Sequence, residues 1–299
     1  MSTAPLEVLE TRKSPYRGLL LPVALISLAL LLFLTLDTTV LGRGFTMWHF
    51  LALAAVLFMA GMMSGMTGFA VSAIGALTLF LLAPITAVPL LQALSACNPM
   101  LSVGKLRRDM PKTAGDWWPH GPGPAILGGL TSVPVGVWLL NNLPGPRIVM
   151  ILGILIVLYS GYSLFKPSGL KIHGFGGAPS GLIVGALGGA IGGFTAFPGL
   201  PVVVWTGLRD LPKAQNRAIV QPFILTLQIL SLITNGVQHP GNFGKPFWVV
   251  LALMIPVVLP GTFTGIWLYH RISEIDFKRA CFVLLAISGV GLLVKTLLK

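Results

Sequence analysis

Gly188-Gly189-Ala190-Ile191-Gly192-Gly193-Phe194 closes a ridge in which Gly181, Gly185, Gly189 and Gly193 recur at every fourth position of an apolar segment. Glycine at i,i+4 lets helix backbones approach closely, and clustered glycine lets a helix break. A shorter version, Gly61-Met62-Met63-Ser64-Gly65-Met66-Thr67-Gly68-Phe69, stands roughly 125 residues earlier. Two broken apolar segments at matching positions of two halves point to the substrate site of a transporter.

The composition agrees. Of 299 residues, 55% are hydrophobic and 9% charged, where a soluble domain carries about a quarter charged residues. A mean hydropathy of +0.87 and several apolar runs of membrane-crossing length make this a polytopic membrane protein. The net charge of +12 does not signal a nucleic-acid partner, because the basic residues sit in short loops between apolar spans. Cys97 and Cys281 are far apart, in no metal-ligand spacing, and imply neither a disulfide framework nor a metal site. Arg12, Lys13 and Arg17 precede an apolar stretch without a clean cleavage site, so an uncleaved first helix is expected.

Apolar segments lie near 19–40, 48–67, 69–83, 86–103, 121–140, 146–166, 179–193, 194–208, 217–236, 247–268 and 278–297. The pairs 48–67/69–83 and 179–193/194–208 contain short members joined through glycine and read as hairpins. The sequence leaves open whether they cross fully or re-enter. An ordered series of matches relates the halves: Gln92 with Gln221, Trp118 with Trp248, Gly136-Val137-Trp138-Leu139 with Gly265-Ile266-Trp267-Leu268, and Ser160-Gly161 with Ser288-Gly289. With the N-terminus inside and each hairpin returning to its own side, 15 of the 20 Lys and Arg residues fall on the inner side. Making each hairpin one broken span would move Lys105, Arg107, Arg108 and Lys112 outside, against the positive-inside rule. The C-terminus is then outside.

The expected fold is therefore an all-α polytopic membrane protein of two inverted repeats. Each repeat holds a glycine-broken helical hairpin plus three spans, and one extra N-terminal helix precedes them. The expected divisions are a cytoplasmic tail 1–18, the extra helix and loop 19–47, and repeats at 48–170 and 171–299.

Helix N-termini at the breaks would offer unpaired N–H groups and partial positive charge to an anion. No Lys or Arg stands in the middle of a span, so a substrate site would combine those termini with neutral groups. The candidates are Ser64, Thr67 and Gly68 at the first break and Gly192, Gly193 and Thr195 at the second. Gln92, Ser95 and Asn98 lie on one span, and Gln221, Thr226 and Gln228 on another. Plain packing explains a glycine ridge as well as ligand contact does, and the hydroxyls can bond to their own helix carbonyls. The glutamines are stronger candidates, since a buried amide has several polar atoms to satisfy. Tryptophans near span ends fit an aromatic belt, and the basic clusters can also meet anionic lipid of the bilayer.

The second half also resembles a known family, the sulfite exporter TauE/SafE family of bacterial anion permeases. The resemblance rests on the quoted glycine break, Pro198, Pro201, the Arg209-Asp210-Leu211-Pro212 loop and the stretch from Gln215 to Phe223. The first half is poorer in glycine, with its proline displaced to Pro84. Over about residues 48–298 the resemblance implies a multi-pass permease of the bacterial cell inner membrane, for small sulfur-containing or organic anions, without a cofactor. An intramembrane enzyme fits less well: no His sits inside a span to act as base, and no aspartate pair is intramembrane. A non-transporting assembly subunit would not explain polar groups at matching depths. Coupling to protons or to a cation, and assembly as a homo-oligomer, remain open at this stage.

Overall fold

The computed structural model describes residues 17–35, 45–67, 70–109, 117–118, 120–165, 176–209, 211, 213–269 and 274–298. These form α1 (Arg17–Thr35), α2 (Met47–Thr67), α3 (Val71–Gly75, continued by a 3-10 helix Ala76–Phe80), α4 (Pro84–Asp109), α5 (Gly123–Asn142) and α6 (Gly145–Phe165). They continue as α7 (Ala178–Thr195), α8 (Gly199–Leu208), α9 (Lys213–Gln238), α10 (Lys245–Tyr269) and α11 (Glu274–Leu297). No strand occurs among the described residues. Six of these helices are long and apolar enough to cross a membrane, which makes the chain a multi-pass membrane protein. Helices α4 and α9 outrun the apolar segments, because apolarity marks the edge of the hydrocarbon rather than the end of a helix.

The helices pair across the two halves. Helix α2 packs on α10, α5 on α7, α4 on α9 and α6 on α11. Glycine makes the two closest pairs. A methyl group at Gly61 or Gly65 would run into the Val258 or Thr262 carbonyl, and one at Gly261 or Gly265 into the Phe58 or Met62 carbonyl. On the other pair, Gly185 faces the Ala125 backbone, Gly189 faces Gly129 and Ser132, and Gly193 lies against Gly136. Contact positions advance together along both pairs, so α2 runs parallel to α10 and α7 parallel to α5. In a membrane, where lipid tails are as apolar as side chains, such backbone approach supplies the dispersion that holds helices together. The glycine ridge is thus first a packing surface. Helix α6 meets α11 at Gly153 and Gly289, while a methyl group at Gly161, the expected counterpart of Gly289, would meet nothing within 4 Å among the described residues. The extra helix α1 lies against α10 and stacks Phe33 on Phe50, ring centroids 4.4 Å apart.

Contacts at the two ends of the bundle settle how the hairpins run. At one end, Asn141 of α5 donates to Asn235 of α9 (3.3 Å), and Asn242 donates to both (2.9 and 3.0 Å). Pro84 adjoins Gly145 there. Lys295 Nζ donates to the Leu79 carbonyl at 2.7 Å, capping the 3-10 helix, and lies 5.0 Å over the Phe80 ring. Helix α2 also begins at this end, level with the start of α10. At the opposite end, Arg209 reaches from the close of α8 to the His120 carbonyl just before α5 (3.4 and 3.5 Å). It also packs beside Gly176, just before α7, and over Trp205. Burial lowers its pKa from the ordinary guanidinium value, yet arginine stays charged.

Each hairpin therefore starts and finishes at its own end, and the two enter from opposite ends. The return arm α8 has ten residues, about 15 Å of helix. That is half the roughly 30 Å hydrocarbon thickness. Both arms re-enter. The breaks meet in the interior, where Ala70, Ala73 and Ile74 share a buried cluster with Phe197.

Candidate functional site

The second break is built residue by residue from α7. Gly188 and Gly192 face Pro198, whose ring and backbone would collide with any side chain there. These two glycines let the chain fold back, while Gly185, Gly189 and Gly193 serve the α5 interface. Ala196 ends the helix in the left-handed region (φ 63°, ψ 13°), and its N–H donates to the Gly192 carbonyl at 2.9 Å. Thr195 Oγ1 donates to the Ile191 carbonyl (2.6 Å) and accepts from the Phe197 N–H (3.2 Å). Pro198 then starts α8 with the φ it already prefers.

Helix ends leave carbonyls without partners, and at this break two glutamines supply them. Gln92 of α4 is fully buried, and its Nε2 donates to the Gly192 and Gly193 carbonyls at 3.2 and 3.4 Å. Gln228 of α9 is 1% exposed. Its Nε2 donates to the Ala196 carbonyl at 2.9 Å and, in a longer contact, to Ser72 Oγ at 3.5 Å. Ser72 opens α3 just after the first break, so Gln228 joins the two breaks directly. One glutamine from each half clasps the same turn. Both Oε1 atoms are buried, without a hydrogen-bond partner among the described residues.

Ser95 is buried one turn beyond Gln92 on α4, and Ser64 is buried near the end of α2. Gln221 and Thr226 are half-buried on α9, with Gln221 about two turns from Gln228. Gly68 and the side chains of Thr67 and Asn98 lie outside the described residues.

Three groups not singled out from the sequence join the arrangement: Ser72 at the first break, then Ser231 and Asn235 on α9, all buried. Ser231 and Asn235 continue the face of Gln228 at helical spacing toward the end where α9 meets α5. A signal for them exists. Gln92-Ala93-Leu94-Ser95 and Gln228-Ile229-Leu230-Ser231 share the pattern Gln-x-Leu-Ser. That pairs Gln92 with Gln228, seven residues beyond its match by overall repeat spacing.

No curated protein and no solved structure matches the chain. The family model described as "Sulfite exporter TauE/SafE" matches residues 51–292, a stretch that holds both hairpin breaks and both clasping glutamines. TauE/SafE is a family of membrane transporters, and this multi-pass membrane protein belongs to it.

Proposed function

We propose that the protein is a secondary carrier of a small sulfur-containing or organic anion. Its site lies between the two hairpin breaks, bounded by Gln92, Gln228, Ser72 and the turn from Gly192 to Gly199. The observation that carries this reading is the meeting of two re-entrant hairpins from opposite ends, with a glutamine of each half on one turn. The exchange of partners between halves, α2 with α10 and α7 with α5, is the pattern that two inverted repeats would produce. Rocking one set of paired helices against the other would open the breaks to each side in turn. The first turn of α8, with the N–H groups of Gly199 and Leu200 unused by the helix, supplies partial positive charge for the anion without a buried lysine or arginine. The chain sits in the bacterial inner membrane, N-terminus inside and C-terminus outside, as the basic loops favour. It carries out no covalent chemistry.

Reconstitution of the purified protein in liposomes tests the reading, with flux of sulfite, thiosulfate and small sulfonates measured across a range of concentrations. Saturable flux of at least one anion is expected. Its absence for all of them, in correctly inserted protein, would contradict carriage of this anion class.

A further inference from the structure

The amide hydrogens of the two glutamines are committed, and this limits what the pair can offer a substrate. A carboxamide has two N–H donors and one oxygen acceptor. Gln92 directs its donors at Gly192 and Gly193, and Gln228 directs its donors at Ala196 and Ser72. Thr195 spends its hydroxyl proton on Ile191. Neither amide can be turned over, because its oxygen would then face a carbonyl oxygen. What each glutamine retains is Oε1, more than nine-tenths buried and unpaired. Native interiors seldom leave such acceptors unmatched.

A bare oxyanion edge would meet only lone pairs on these two side chains. The negative charge belongs instead at the start of α8, which no side chain caps and where the N–H groups of Gly199 and Leu200 precede the first internal hydrogen bond of the helix, Pro201 having none. The geometry points to a substrate that brings its own hydrogen-bond donors: a small anion with an O–H or N–H edge that faces Gln92 Oε1 and Gln228 Oε1. This rests on the carrier reading above and names its substrate class. For the anion of a weak acid, the donor is its remaining proton. The protonated form is then the one carried, and the proton crosses with it. Flux responds to a pH gradient without an intramembrane carboxylate, and falls as pH rises through the substrate's own pKa.

The test uses the full-length protein in liposomes and two probes of like size and charge. Sulfamate carries N–H donors, and methanesulfonate presents C–H in the same place. At one pH, sulfamate is expected to be carried about tenfold faster or more, the usual scale for a buried acceptor left unpaired. Sulfite flux is expected to follow the hydrogen sulfite concentration, dropping about tenfold per pH unit above that ion's pKa. Equal, saturable flux of sulfamate and methanesulfonate would overturn the inference and leave the carrier reading intact. So would flux that needs sodium and does not distinguish the probes, since the amide oxygens would then serve a metal cation. No saturable flux of any anion would overturn both.

Discussion

The described residues that flank the two hairpin breaks differ. At the first, the chain resumes from Ala70 in right-handed geometry (φ −79°, ψ −4°), and the return arm tightens into a 3-10 helix capped by Lys295. At the second, Ala196 is held left-handed and both glutamines hang on the turn. A non-glycine residue in that region costs about 1–2 kcal/mol, and strain of this kind persists where surroundings enforce it. Among the described residues, a glutamine of each half therefore meets the second break, and Ser72 joins them from the first. If the protein is the carrier proposed above, its binding chemistry is concentrated at the second break.

Four experiments test that contrast. The largest effect is expected from Gly185→Leu, which drives α7 off the Ala125 backbone at a cost of about 3 kcal/mol or more. Size-exclusion chromatography of detergent extracts should show most folded protein lost, whereas Gly161→Leu, where an added methyl meets nothing within 4 Å among the described residues, should leave the profile unchanged. Next, Gln228→Leu should lower flux at least about tenfold, a larger loss than any fall in membrane abundance, because it removes the amide oxygen proposed to face the substrate. Equal losses of flux and abundance would make Gln228 a packing residue. Third, Gln221→Ala should reduce flux by about threefold with abundance unchanged, as suits a half-buried amide. Unaltered kinetics would remove Gln221 from the site. The smallest effect separates the breaks by sign. Ala196→Gly should raise thermal stability by up to about 1 kcal/mol, and Ala70→Gly should lower it by about 0.5–1 kcal/mol. The same sign at both positions would mean that the second turn is not strained.

Much of this architecture was legible in the sequence. The glycine clusters at 61–68 and 181–193 marked both hairpins, and the basic loops favoured hairpins over single broken spans. Gln92 and Gln228 both stood among the candidates. Their partnership did not, because the halves align at about 129 residues by their glycines and tryptophans, which pairs Gln92 with Gln221. The Gln-x-Leu-Ser pattern aligns at 136. Seven residues are about two helical turns, so the slip keeps the same face of α9 and changes only depth. Depth in the membrane depends on how far each helix runs beyond the hydrocarbon, and α9 spends its first turn on Lys213, Asn216 and Arg217. Ser72 escaped for another reason: nothing in Ala70-Val71-Ser72-Ala73 separates a site hydroxyl from one bonded to its own helix until Gln228 is seen beside it.

The most direct measurement places a single cysteine at Ser72→Cys, in protein whose Cys97 and Cys281 are replaced, and labels it with a membrane-impermeant thiol reagent from each side. If the two breaks frame an alternating-access site, the reagent reaches the position from both sides, and a transported anion at saturating concentration slows labelling from each. Intact transport with no labelling from either side, or labelling that the anion leaves unaffected, would contradict a substrate path between the hairpins.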